Sequence, residues 1–209
     1  MLPGLDEGRF RTILADPPWM ERGGGKIKRG ADRHYPLLPT KKIPGVMKSA
    51  TRSDGSPLWL PASNAHLYLW VTNNFLEDGL WVMRQLGFRY ITNLPWVKVR
   101  NDDQLSLLPL PSIKTGTGQY FMGGHELILF GVRGKGLDPS VCTARRDIGT
   151  VILAEHERDE DNGNKIVHSR KPLSIYRDKI EARSKGPYLE LFARSGREGW
   201  TSWGNEVAA

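Results

Sequence analysis

Seven consecutive residues, Ile13-Leu14-Ala15-Asp16-Pro17-Pro18-Trp19, constrain this 209-residue chain more than any other stretch. The apolar run has the character of a buried strand, and it stops at an acid, two prolines and an aromatic. Proline donates no N–H to a sheet ladder and fixes φ, so the strand ends here with its last side chains held at the sheet edge. One carboxylate, free backbone carbonyls and one flat indole are thereby gathered at the mouth of a sheet. Such a set suits a flat ligand bearing an exocyclic amine: carboxylate and carbonyls accept its two N–H bonds, and the indole stacks on the ring. An isolated Asp-Pro-Pro reads equally as a turn after a core strand, with Asp16 capping the next segment and Trp19 packed inside.

The rest of the chain alternates between strand and helix signals. Strands are expected at Thr12–Ala15, Leu67–Thr72, Tyr90–Val97, Glu126–Val132, Thr150–Ala154 and Tyr188–Phe192. Asn73 or Asn74 can cap a helix whose Leu76, Leu80 and Met83 share a face, with Gly87 as its stop. Pro172 suits a first helical turn, and Leu173, Tyr176 and Ile180 follow at helical spacing. A weaker helix covers Thr40–Ser49, its start limited by Pro44. This order predicts an α/β fold with a mostly parallel sheet, in one domain spanning residues 1–209. Ligands of such sheets bind beyond the carboxyl ends of strands, where Asp16, Asn73 and Arg194-Ser195-Gly196-Arg197 all fall. Residues 98–125, rich in Pro, Gly, Asn and Asp, break the pattern as an irregular insertion of the kind that carries function.

Charge and cysteine content narrow the class. The formal net charge is +7 and the basic residues are clustered. Arg22, Lys26, Lys28, Arg29 and Arg33 follow Trp19 in a Gly-rich stretch, and Arg133, Lys135, Arg145 and Arg146 form a second group. Basic loops beside a base-sized pocket suggest contact with a phosphate backbone; the alternative for either group is a solvated surface. The acidic run Glu155 to Asp161 reads as a solvated loop. The single cysteine, Cys142, excludes an internal disulfide and argues against a cysteine-rich metal site. No apolar run reaches membrane-spanning length and Met1–Glu7 carries no signal-peptide pattern, so a cytoplasmic location is expected.

Six ordered blocks extend the pattern around Asp16-Pro17-Pro18-Trp19. They are Leu69-Trp70-Val71-Thr72-Asn73 with Trp96-Val97-Lys98; Gly116-Thr117-Gly118; Gly124-His125-Glu126 through Gly131-Val132; His168-Ser169-Arg170-Lys171-Pro172; Glu190-Leu191-Phe192-Ala193-Arg194; and Trp200 with Gly204-Asn205. In these blocks, across residues 11–206, the chain resembles the MT-A70 adenine-N6 methyltransferases, compact prokaryotic or phage members more than the eukaryotic RNA enzymes. The resemblance implies a Rossmann-like class I methyltransferase sheet with helices on both faces. It also implies a permuted motif order, with the substrate-amine strand first and the ribose-binding strand near the end.

The resemblance further implies S-adenosylmethionine as cofactor and no metal. Asp16 and the Pro17 carbonyl would hold the adenine N6 amine, Pro18 would stiffen the turn, and Trp19 would stack on the base. Lys171 would lie near the cofactor carboxylate, Glu190 on the ribose hydroxyls, and Arg194 and Asn205 at further cofactor contacts; Asp16 can also touch the cofactor's amino group. Lys26, Lys28, Arg29, Arg33, Arg133 and Lys135 would contact nucleic acid. Outside the motif, Glu190 reads as a strand acid paired with Arg194, and Lys171 as a solvated residue beside a helix start. Ser195-Gly196-Arg197-Glu198 lacks the His-Asn of eukaryotic members. DNA is the expected substrate, with RNA as the alternative and a catalytically inactive nucleic-acid-binding subunit as a third reading.

Overall fold

A computed structural model describes residues 9–20, 37–100, 112–115, 120–156, 158–159, 165–166 and 170–207. Its strands are β1 (Phe10–Ala15), β2 (Pro61–Val71), β3 (Arg89–Arg100), β4 (Ser112–Ile113), β5 (His125–Arg133), β6 (Ile152–Ala154), β7 (Arg158–Asp159), β8 (Lys165–Ile166), β9 (Tyr188–Leu191) and β10 (Trp200–Trp203). Its helices are α1 (Ile43–Lys48), α2 (Leu76–Gln85) and a π-helix, Tyr176–Glu181. An eight-stranded sheet runs β10-β9-β1-β2-β5-β3-β4, with β6 also paired to β3, while β7 and β8 form a separate pair.

The sheet is mixed rather than mostly parallel. Strands β10, β9, β1 and β2 are parallel neighbours, but β5 runs antiparallel to both β2 and β3. The connections explain this. Strand β2 reaches β3 through α2, a crossover that keeps the two strands pointing the same way and leaves a slot between them. The segment between β3 and β5 carries no helix among its described residues, so the chain returns into that slot antiparallel.

Period-2 alternation assigns the two faces. Ile13, Ala15, Leu67, Leu69, Val71, Leu127 and Leu129 form one core cluster with Ile43 and Met47 of α1 and Val82 and Met83 of α2. Leu14, Tyr68, Trp70, Trp96 and Ile128 form the other with Ile175, Ile180 and Trp200. Helices therefore lie on both faces, as a Rossmann-like sheet requires. Gly79 lets α2 lie against the sheet, since a Cβ there would stand 2.5 Å from Val71 Cγ1 and 2.8 Å from Leu129 Cδ1.

Three local expectations change. No side-chain hydrogen bond caps the turn Asn73–Phe75 or α2, although Gly87 does end the helix with φ +80°. The helix after Pro172 is a π-helix, so Ile175 and Ile180, five residues apart, face inward while Leu173 is exposed. Pro44 stands at the start of α1, which begins only at Ile43, behind a 3-10 turn over Thr40–Lys42.

At the end of the sheet away from Asp16, His66, Tyr68 and Ser184 form a closed polar network. His66 Nε2 lies 2.7 Å from the Gly136 carbonyl, Nδ1 lies 2.6 Å from Ser184 Oγ, and Tyr68 Oη lies 2.6 Å from the same Oγ. The carbonyl only accepts, so Nε2 carries the proton. Ser184 then donates to Nδ1, and Tyr68 donates to Ser184. Burial holds the His66 pKa below its ordinary value, opposed by the Gly136 bond. The unfolded chain therefore takes up this proton first, and stability falls as pH drops below about 6.5. His66→Gln, which cannot titrate, should show a shallower decline in urea midpoint between pH 7 and 5; parallel declines would exclude the network as the cause.

Candidate active site

The carboxyl ends of β1, β2 and β9 and the opening of β5 meet at one edge of the sheet. Asp16 follows β1 directly, and Leu14 pairs with Glu190 of β9, which in turn pairs with Ser202 of β10. Glu126 pairs with Trp96 of β3 on the far side of β2. The first and one of the last strands of the sequence are thus neighbours, which brings Asp16 and Glu190 into one site from opposite ends of the chain.

Lys171 organises the acidic groups. Its Nζ lies 3.4 Å from Asp16 Oδ2 and 2.8 Å from Glu126 Oε2, and it sits 4.8 Å from the ring centre of Trp70. Lys98 Nζ holds the other Glu126 oxygen at 2.7 Å. Burial works to raise the Glu126 carboxyl, but Lys171 and Lys98 together outweigh it and hold its pKa at about 2. Asp16 differs. Burial raises its pKa and Glu126 adds to that, while Lys171 and Arg194 oppose them. Its side chain nonetheless keeps 30% exposure, so it borders an opening that a ligand can enter.

A second cluster surrounds Glu190. Tyr176 donates a 2.7 Å hydrogen bond to Glu190 Oε1, and the Arg197 guanidinium lies 3.5 Å from the Tyr176 ring centre. Burial raises the Glu190 pKa, opposed by the Tyr176 bond and Arg197. Among the described residues, His156 Nδ1, Arg197 Nε and Ser202 Oγ are buried polar atoms without a hydrogen-bond partner. Native interiors rarely leave such atoms unpaired. Two of the three belong to the Glu190 cluster: Ser202 stands at Glu190's register, and Arg197 covers Tyr176. A hydroxyl and an N–H without a partner among the described residues, beside the Glu190 carboxylate, fit a polar ligand such as a ribose, so this chemistry suits the S-adenosylmethionine expected from the sequence.

The profile of the MT-A70 family matches residues 10–206, nearly the whole chain. The chain belongs to the MT-A70 family. It is 31% identical over 207 residues to the human N(6)-adenine-specific methyltransferase METTL4, a match covering 95% of this chain and 37% of that protein. It is 29% identical over 206 residues to an Arabidopsis thaliana N(6)-adenosine-methyltransferase MT-A70-like protein, covering 96% of this chain and 24% of the relative. The human N(6)-adenosine-methyltransferase catalytic subunit METTL3 is 28% identical over 208 residues, covering 96% and 28%. The chain thus spans about a quarter to somewhat over a third of the length of these relatives.

The structure rearranges several roles expected of an MT-A70 chain. Trp19 is 8% exposed, stacks on Phe75 at 5.4 Å and donates its indole N–H to the Trp70 carbonyl at 3.0 Å. Its ring anchors the turn in the core, and the reading with Trp19 packed inside is the one the fold takes. Pro17 and Pro18 carbonyls already accept bonds from Trp19 N (2.9 Å) and Leu38 N (2.8 Å), leaving each one lone pair for a ligand. Lys171 is bound to Asp16 and Glu126 rather than standing alone at a helix start. Arg194 faces Glu206 at 3.9 Å, and Asn205 is exposed in the turn after β10.

Arg133 and Lys135 are not brought to the site. Because β5 runs antiparallel, Arg133 lies seven residues along the strand from Glu126, roughly 24 Å away. Lys26, Lys28, Arg29 and Arg33 lie outside the described residues, as do Gly116, Thr117, Gly118 and His168. Glu126 is the residue of this cluster that motif reading left without a role. Its signal was present: an acid opening an otherwise apolar strand needs a cationic partner.

Proposed function

We propose that this chain transfers the methyl group of S-adenosylmethionine to the N6 amine of adenine in DNA. The observation that carries the reading is the Asp16 carboxylate, fixed by the Pro17-Pro18 turn and held by Lys171 beside Glu126 at an open sheet edge. When bound, S-adenosylmethionine supplies an electrophilic methyl on a cationic sulfur. Glu190, Ser202 and Arg197 would hold its ribose, with Arg194 and Asn205 as further contacts.

The adenine amine is a weak nucleophile because its lone pair is delocalised into the ring. Asp16 and a carbonyl of the Pro17-Pro18 turn would accept its two N–H bonds, returning electron density to nitrogen and aligning it for transfer. Lys171 lies on Oδ2, which leaves Oδ1 for the amine. A carboxyl with a raised pKa is also a better acceptor for the proton that nitrogen sheds as its bond to carbon forms. Glu126 keeps Lys171 from neutralising Asp16 fully.

The net charge of +7 suits the phosphate backbone of a nucleic-acid substrate. Met20, four residues after Asp16, donates its N–H to the Leu38 carbonyl at 3.1 Å, and Lys26, Lys28, Arg29 and Arg33 fall between these two residues in sequence. Reversing Lys26, Lys28 and Arg29 should weaken DNA binding and flatten its salt dependence while sparing cofactor binding. An unchanged salt slope would remove these residues from the interface.

Two tests address the reading. Initial rates from labelled S-adenosylmethionine on duplex DNA, single-stranded DNA and RNA should be highest on DNA; label in RNA alone would keep the chemistry and overturn the substrate. Tyr176→Phe should weaken cofactor binding about 10-fold, because a hydrogen bond to a charged group is worth about 1.5–3 kcal/mol. Calorimetry showing an unchanged Kd would place the cofactor elsewhere.

A further inference from the structure

The loop entering β5 presents two aromatic rings to solvent. Tyr120 is 91% exposed and Phe121 90%, followed by Met122 at 65% and accompanied by Ile113 of β4 at 61%. These rings contribute almost nothing to the core, and a chain does not keep two adjacent bare aromatics for folding.

Their place in the fold is defined by hydrogen bonds at the base of the loop. Lys98 N donates to the Gly124 carbonyl at 3.0 Å, and Lys114 N donates to the Lys98 carbonyl at 2.7 Å. Strand β4 and the start of β5 thus lie along the same stretch of β3. Glu126, two residues beyond Gly124, is part of the Asp16–Lys171 cluster. Tyr120 and Phe121 thus stand six and five residues before Glu126 along the chain, on the approach to the end of the sheet that holds the candidate site. Lys98 of β3 and Lys114, just after β4, are joined there by a backbone hydrogen bond, on a chain of net charge +7.

An adenine amine inside a duplex cannot reach Asp16, so the base must leave its stack, which uncovers the π-faces of the bases beside it. Aromatic side chains that cover such faces, with cations tracking the backbone, are how proteins hold unstacked bases. We propose that Tyr120 and Phe121 stack on the nucleobases flanking the target adenine in the DNA strand. This goes beyond the methyltransferase reading by naming the surface that receives the substrate strand, and it rests on that reading for the target base alone.

The experiment measures oligonucleotide affinity by anisotropy together with methyl transfer. Stacking is worth about 1–3 kcal/mol per base, so Tyr120→Ala with Phe121→Ala should lower DNA affinity at least 10-fold. Cofactor affinity and Tm should stay unchanged, as expected for side chains with no core contacts. Tyr120→Leu with Phe121→Leu should fail similarly, because leucine keeps the apolar surface but has no flat π-face, while Tyr120→Trp with Phe121→Trp should retain binding.

Equal DNA affinity for the alanine and parent chains would overturn the proposal. Full binding by the leucine variant would overturn it in favour of an apolar protein-docking surface, as would a change in oligomeric mass with DNA affinity unaltered. A parent chain that binds DNA through these rings yet transfers no methyl group would defeat the methyltransferase reading and leave the stacking surface standing.

Discussion

Asp16→Ala should reduce methyl transfer by about 10²–10³-fold, the effect of removing one hydrogen-bonding group aimed at charge that develops in the transition state. The loss should fall on kcat more than on cofactor affinity, since the ribose end is proposed to lie on Glu190 and its neighbours. The pH profile gives a second readout. Only the ionised carboxylate accepts both from the amine and from Lys171, so activity rises with pH as Asp16 deprotonates. Burial raises its folded pKa above 3.8, and the acid limb of kcat/KM should therefore lie above the ordinary aspartate range. Removal of Asp16 without a loss of rate would contradict the role assigned to it.

Glu126→Gln should have the largest effect on stability. The carboxylate joins Lys98 at 2.7 Å and Lys171 at 2.8 Å, and the three side chains are 18% exposed or less. Neutralising the acid leaves two poorly solvated ammonium groups against each other, a loss of about 3–5 kcal/mol for a buried pair. The sign with pH follows from the folded pKa of about 2 against an ordinary 4.5. The unfolded chain binds the proton first, so the stabilisation is complete above pH 4.5 and is lost as pH falls toward 2. Urea denaturation from pH 7 to 3 should show a steep acid decline in the parent chain and a shallower one in the variant. Glu126 is also one of the groups that raises the Asp16 pKa, so the acid limb of activity in Glu126→Gln should move to lower pH. A variant as stable as the parent, with an unmoved limb, would mean that the charge cluster is incidental.

The edge that holds the candidate site was legible because prolines punctuate it. Asp16-Pro17-Pro18 cannot lie inside a sheet, so its position at a strand end followed from backbone chemistry alone. The two sheet faces were equally legible in the alternation of Leu67, Leu69 and Val71 with Tyr68 and Trp70. Strand direction was not, since a strand's residues do not encode which way it runs. The antiparallel course of β5 moved Arg133 and Lys135 to the far end, and only the connection between β3 and β5, without a helix among its described residues, could have hinted at it. Trp19 illustrates a different limit. A stacking ring and a core ring have the same composition, and only the surroundings, here Phe75 and the Trp70 carbonyl, decide between them. Strand β10 escaped notice because Trp200-Thr201-Ser202-Trp203 is short and follows a turn. Its Ser202, whose Oγ in the Glu190 cluster is buried without a partner among the described residues, went unnoticed with it. The π-helix was illegible in principle from a 3.6-residue template, because Ile175 and Ile180 share a face only at a spacing of five.

The measurement that tests the central claim most directly is nucleoside mass spectrometry of adenine-containing DNA incubated with the chain and S-adenosylmethionine, run beside the Asp16→Ala variant. N6-methyladenine formed by the parent chain and lost in the variant is the predicted result. A methyl group on another atom or base, or no N6-methyladenine from a chain that binds the cofactor and the DNA, would contradict the account.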